Sequence, residues 1–75
     1  MAEELTKTDV IRIKKEIRER KLEKSPELIE AVKEARAHGD LSENFEYHAA
    51  KREKNINESR IRYLDNILRH AKMER

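Results

Sequence analysis

Apolar side chains recur at steps of three and four residues along two stretches of this chain, and the only glycine stands between them. In the first stretch they are Val10, Ile13, Ile17, Leu28, Val32 and Ala35. In the second, Tyr47, Ala50, Lys54, Asn57, Ile61, Leu64, Leu68 and Ala71 alternate steps of three and four. Such spacing lays one stripe along one face of a helix. Each stripe needs a partner, and the other stripe is the partner at hand. The pattern predicts an all-α fold, a long antiparallel two-helix hairpin of coiled-coil type. Arms of about 25–30 residues would each reach roughly 40–45 Å.

The composition agrees. Of 75 residues, 45% are charged and 36% hydrophobic, too few apolar groups for a wide core. A narrow seam between helices is the economical way to bury them. Disorder competes in any chain this charged, but the helical spacing argues against it. One Gly and one Pro argue against β-structure and against long loops. A self-contained enzyme is disfavoured, because catalytic pockets are concave and mostly apolar. The absence of cysteine removes disulfides and thiolate metal sites. No apolar run resembles a signal peptide or a membrane span, so a cytoplasmic protein without membrane contact is expected.

Two residues punctuate the pattern. Pro26 cannot donate to the carbonyl of Leu22 and crowds that turn. Ser25-Pro26-Glu27 also fits a helix start. A kinked continuous helix is preferred over two helices end to end, since the periodicity resumes at once. Between Ile17 and Leu28, Lys21 and Lys24 are expected to bridge the seam with their stems. Gly39, after Ala37-His38, suits a left-handed residue that ends a helix. The tip should lie at about 38–46, with the second helix starting between Leu41 and Glu46. Lys54 and Asn57 are polar seam positions that can set register. Leu22, Ile29, Ile56 and Ile67 flank the seams and are the contact candidates for a weak homodimer.

Charge is distributed unevenly. Basic residues dominate 12–24 and 51–62, whereas 39–46 carries Asp40, Glu43 and Glu46 with no Lys or Arg. Basic flanks and an acidic tip result. On charge alone, solvated helix faces are the better account, with several Glu–Lys and Glu–Arg pairs at helical spacing. Weak contact with nucleic-acid phosphates is the other. Asp40 and Glu43 stand three apart near a helix start. They can form a capping box, which the residues alone favour. Alternatively they offer two hard oxygen donors to Mg²⁺, too few to hold it unaided. His38, His48 and His70 lack zinc-ligand spacing. Tyr47 reads as a packing residue at the hairpin end.

The run Gly39-Asp40-Leu41-Ser42-Glu43-Asn44, with Ala35-Arg36 before it and Glu46-Tyr47-His48-Ala49-Ala50-Lys51 after it, resembles the N-terminal domain of the GreA/GreB transcript cleavage factors. The likeness extends to Pro26 upstream and to Arg60-Ile61, Leu64, Leu68 and Ala71 downstream. It implies a single coiled-coil domain over 1–75, with the FKBP-like second domain of the family lying outside these residues. It further implies a transcription elongation factor, not itself an enzyme, that enters the secondary channel of bacterial RNA polymerase. There it stimulates the polymerase to cleave backtracked RNA and so rescues arrested complexes. Asp40 and Glu43 would complete the polymerase Mg²⁺ site in trans. Arg36, Ser42, Asn44, Phe45, Lys51 and Arg52 would contact polymerase or the nascent RNA 3′ end. Phe45 replaces a usual small residue, and Thr6-Lys7-Thr8-Asp9 lacks the family's usual glycine and leucine.

Three other functions compete with cleavage stimulation. An inhibitor could enter the same channel without stimulating cleavage, but retention of both tip carboxylates favours the stimulator. A purely structural coiled coil leaves the tip sequence unexplained. Direct DNA binding is permitted by the basic flanks, yet nothing here reads bases.

Overall fold

The computed structural model describes residues 4–39 and 43–73. It is a helical hairpin measuring 55 × 23 × 12 Å. Its radius of gyration is 16.3 Å, against roughly 11 Å for a compact chain of this length. Among the described residues, two short strands, β1 (Glu4–Leu5) and β2 (Lys72–Met73), bracket three helices: α1 (Lys7–Glu19), α2 (Ser25–Ala37) and α3 (Phe45–His70). A wide π turn, Arg20–Lys24, joins α1 to α2 without a break. The first arm therefore runs from Lys7 to Ala37, and α3 packs back along it.

Thr6 starts the first arm. Its hydroxyl accepts from the Asp9 N–H (3.0 Å), and the Asp9 carboxylate accepts from the Thr6 N–H (3.1 Å). This reciprocal pair satisfies two backbone donors at the helix end. The bond from the Thr6 N–H foremost, and the Thr6 hydroxyl after it, hold the Asp9 carboxyl below its ordinary range.

The predicted seams are the observed ones. Every apolar seam position of the first arm is buried or half-buried, and so is every seam position of the second. Leu28, Ala35, Tyr47 and Leu64 form the core of the interface, with Leu5 buried at the open end. Asn57 is its most buried side chain, 2% exposed. Leu22, Ile29 and Ile56 are exposed, and Ile67 is half-buried.

The middle of the first arm differs from expectation. Lys21 and Lys24 are exposed; Arg20 and Ser25 turn inward instead. Those two are five residues apart, the step of one π turn rather than of an α-helix. The Ser25 N–H bonds to the carbonyl of Arg20. The turn lies immediately before Pro26, which falls in the first turn of α2, where a missing N–H is best tolerated. The helical path is thus continuous, and its accommodation of the proline is a widened turn that re-phases the inward face.

Sequence composition left no place for strands, yet the termini pair. β1 and β2 are parallel, with Glu4 opposite Lys72 and Leu5 opposite Met73. A two-residue ladder closes the open end of the hairpin without altering its helical architecture. Among the described residues no helix is long and apolar enough to cross a membrane.

Candidate functional site

The tip is built where α2 ends and α3 begins. His38 closes α2, its N–H reaching the Ala35 carbonyl at 3.2 Å. Gly39 follows with φ +140°. This positive φ, which L side chains rarely adopt, is the backbone freedom for which a glycine was expected at the end of the helix. Asp40, expected to help complete a Mg²⁺ site, and Ser42, an expected contact residue, lie outside the described residues with Leu41.

Asn44 caps α3. Its Oδ1 accepts from the Tyr47 N–H at 3.0 Å, and its Nδ2 donates to the Ala35 carbonyl at the end of α2. One half-buried amide therefore fastens the start of the second arm to the end of the first. The capping box expected from Asp40 and Glu43 is not the cap of this helix. The helix begins at Phe45, two residues beyond Glu43, and Asn44 supplies the acceptor that Asp40 was expected to supply. The usable signal was Asn44 itself, a strong N-cap residue three positions before Tyr47.

Glu43 sits in the turn and is exposed. Phe45, the first residue of α3, is 85% exposed. His38 Nδ1 and Glu46 Oε2 lie 3.1 Å apart and link the arms at the tip surface.

Behind the tip, Tyr47 is buried between two cations. The Arg36 guanidinium lies 5.7 Å and the Lys51 ammonium 5.9 Å from its ring centroid. Arg36 foremost, with Lys51, holds the phenol below its ordinary range against the opposing effect of burial. Arg36 and Lys51, predicted as separate contact residues, are thus brought together across the two arms. Arg52, the residue after Lys51, lines a shallow open groove on α3 with His48, Lys51, Asn55, Ile56 and Ser59. Two of its lining side chains, Lys51 and Arg52, are basic, beside the exposed Ile56.

Among the described residues, no three His, Cys, Asp or Glu side chains converge as a metal site. What the described part of the tip offers is the exposed Glu43 beside the tied Asn44, flanked by a solvent-facing aromatic and backed by cations.

The family model described as "Transcription elongation factor, N-terminal" matches residues 3–73. Curated relatives include the transcription elongation factor GreA of Chelativorans sp. (strain BNC1), 52% identical over 61 residues, which are 81% of this chain and 39% of the relative. GreA of Mesorhizobium japonicum is 49% identical over 61 residues, 81% of this chain and 39% of the relative. GreA of Brucella anthropi is 50% identical over 62 residues, 83% of this chain and 40% of the relative. The chain spans about two-fifths of the length of these relatives. The hairpin, its tip sequence and the extent of the match together place the chain in the GreA/GreB N-terminal family of transcription elongation factors.

Proposed function

We propose that this hairpin enters the secondary channel of bacterial RNA polymerase in the cytoplasm and brings Asp40 and Glu43 to the polymerase catalytic centre. The observation that carries this reading is the cap at Asn44. The Tyr47 N–H at the start of α3 is taken by the Asn44 amide, so the cap first expected of Asp40 and Glu43 is supplied by another residue, which favours a use for the acidic pair beyond capping. Their chemistry suits a shared Mg²⁺: both are hard, anionic oxygen donors, and two are too few to hold the ion without further ligands.

When bound, Mg²⁺ supplies charge stabilisation and water activation for phosphodiester hydrolysis. The chain contributes the two carboxylates and their placement; the bond-breaking machinery belongs to the polymerase, so the chain is not itself an enzyme. Arg36, Lys51 and Arg52 offer positive charge near the path of the RNA. Phe45 gives the tip an apolar surface to set against polymerase or the RNA 3′ end. The product is a released 3′ fragment and a new 3′ end in register with the polymerase centre.

The test is to add the chain to backtracked complexes of RNA polymerase from a related bacterium and follow the labelled RNA. The expected result is release of short 3′ fragments and resumed elongation. Competition for the channel with no cleavage would replace this reading with that of an inhibitor using the same channel.

A further inference from the structure

We infer that Asn44 is a positioning residue for Glu43, acting by locking the two arms together at the tip rather than by touching RNA or polymerase. This inference rests on the proposed role of Glu43. Its own basis is geometric. Both ends of the Asn44 amide are used inside the hairpin, Oδ1 by the Tyr47 N–H at 3.0 Å and Nδ2 by the Ala35 carbonyl. Ala35 is itself buried, 5% exposed, and its carbonyl also receives the His38 N–H at 3.2 Å. The last turn of α2 and the first turn of α3 therefore meet on one oxygen. Glu43 precedes this fastened residue directly, so its Cα is fixed by a peptide whose next side chain cannot rotate without breaking two bonds.

The two bonds do separable things. The bond to the Tyr47 N–H caps α3, and any good capping acceptor can make it. The bond to Ala35 sets where the tip sits relative to the first arm, and only a donor can make it. Asn44→Asp and Asn44→Ser keep the acceptor that caps α3. Asp lacks the donor and puts a carboxylate near a carbonyl oxygen. The Ser hydroxyl is too short to span both partners. Each variant should leave the helix start intact and release the aim of Glu43.

The experiment measures stimulated RNA cleavage against factor concentration on backtracked polymerase, with thermal unfolding of the same proteins, for the parent, N44D, N44S and E43Q. The expected result for both Asn44 variants is a maximal cleavage rate reduced at least about tenfold, since small misplacements of a reacting group are costly. Unfolding temperature should fall only modestly, for the one bond lost, leaving the variants folded at the assay temperature, and half-saturating concentration should remain near the parent value. Unchanged maximal cleavage in N44D and N44S, with E43Q inactive, overturns the positioning role alone. A raised half-saturating concentration with unchanged maximal rate makes Asn44 a contact residue and overturns it too. Full cleavage by E43Q removes the role of Glu43, and the positioning of Glu43 falls with it.

Discussion

Arg20 of the π turn donates from Nη1 to the Oδ1 of Asn57 at 2.9 Å, joining the one irregular turn of the first arm to the most buried side chain of the second. Asn57 passes the connection on, its Nδ2 donating to Ser25 Oγ at 2.9 Å. Glu16 completes the network, accepting from Arg20 Nε at 2.8 Å and from Arg60 Nε at 2.9 Å. No buried side-chain nitrogen or oxygen among the described residues lacks a partner. The inward turn of Arg20 and Ser25 and the buried amide opposite them are thus two halves of one arrangement.

Removing the amide tests what the arrangement contributes. Asn57→Ala should lower hairpin stability by about 1–3 kcal/mol, because it deletes two partly buried bonds and leaves a gap. Asn57→Leu should cost less or nothing, while relaxing the pairing of the arms, since a buried polar group chiefly specifies register. Denaturant midpoints measure the first effect, and cysteine cross-linking between the arms in and out of register measures the second. A leucine variant with one sharp register would remove Asn57 as the register determinant.

Acid should loosen the same network. Arg60 foremost, and Arg20 with it, lower the Glu16 carboxyl from an ordinary 4.5 to about 2. A carboxyl depressed on folding stabilises fully above its unfolded value and loses that contribution as pH falls through its folded value. The loss therefore occupies the window from about 4.5 down to about 2. Asp9 and Glu58, also lowered, act in the same direction. The contribution of Glu16 is isolated by the difference between the parent and Glu16→Gln. That difference should be largest near neutral pH and shrink across the window; parallel melting curves would contradict it.

Much of this fold is legible from spacing. The regular steps of the second arm name its whole seam, Asn57 included, because one face of a straight helix is fixed by arithmetic. The first arm yields less. A π turn adds one residue to the cycle and leaves no compositional mark, so α-helical counting assigns Lys21 and Lys24 to a seam that Arg20 and Ser25 occupy. The strand pair is invisible for a different reason: two residues are too few to show alternation. At the tip, Asp40 and Glu43 have the spacing of a capping box, and only the observed start of α3 distinguishes that pair from the true cap at Asn44.

Tyr47 offers an optical test of the tip. Because Arg36 and Lys51 flank its ring, the phenol should titrate below its ordinary value of 10.0. Absorbance of the phenolate near 295 nm, roughly the usual wavelength for tyrosinate, follows this, with Tyr63 separated by Tyr63→Phe. Arg36→Gln should shift the Tyr47 midpoint upward more than Lys51→Gln does. Tyr47→Ala should destabilise the hairpin by about 3 kcal/mol, as loss of a buried aromatic generally does. An Arg36→Gln variant with an unmoved midpoint would mean that the cation does not sense the phenol.

The central claim is that the acidic pair serves polymerase chemistry rather than the hairpin. The most direct measurement compares Asp40→Asn and Glu43→Gln with the parent in RNA cleavage on backtracked complexes, Mg²⁺ being titrated, and in thermal unfolding. Each substitution keeps the side-chain size and one carbonyl oxygen while removing the charge. The account predicts that cleavage falls strongly in each, that the double variant is little worse than the weaker single one, and that unfolding is unchanged because Asn44 still caps α3. Retained channel binding, shown by competition with the unmutated chain, completes the expected result. Normal cleavage in both single variants, or a loss of cleavage that tracks a loss of folding, would contradict it.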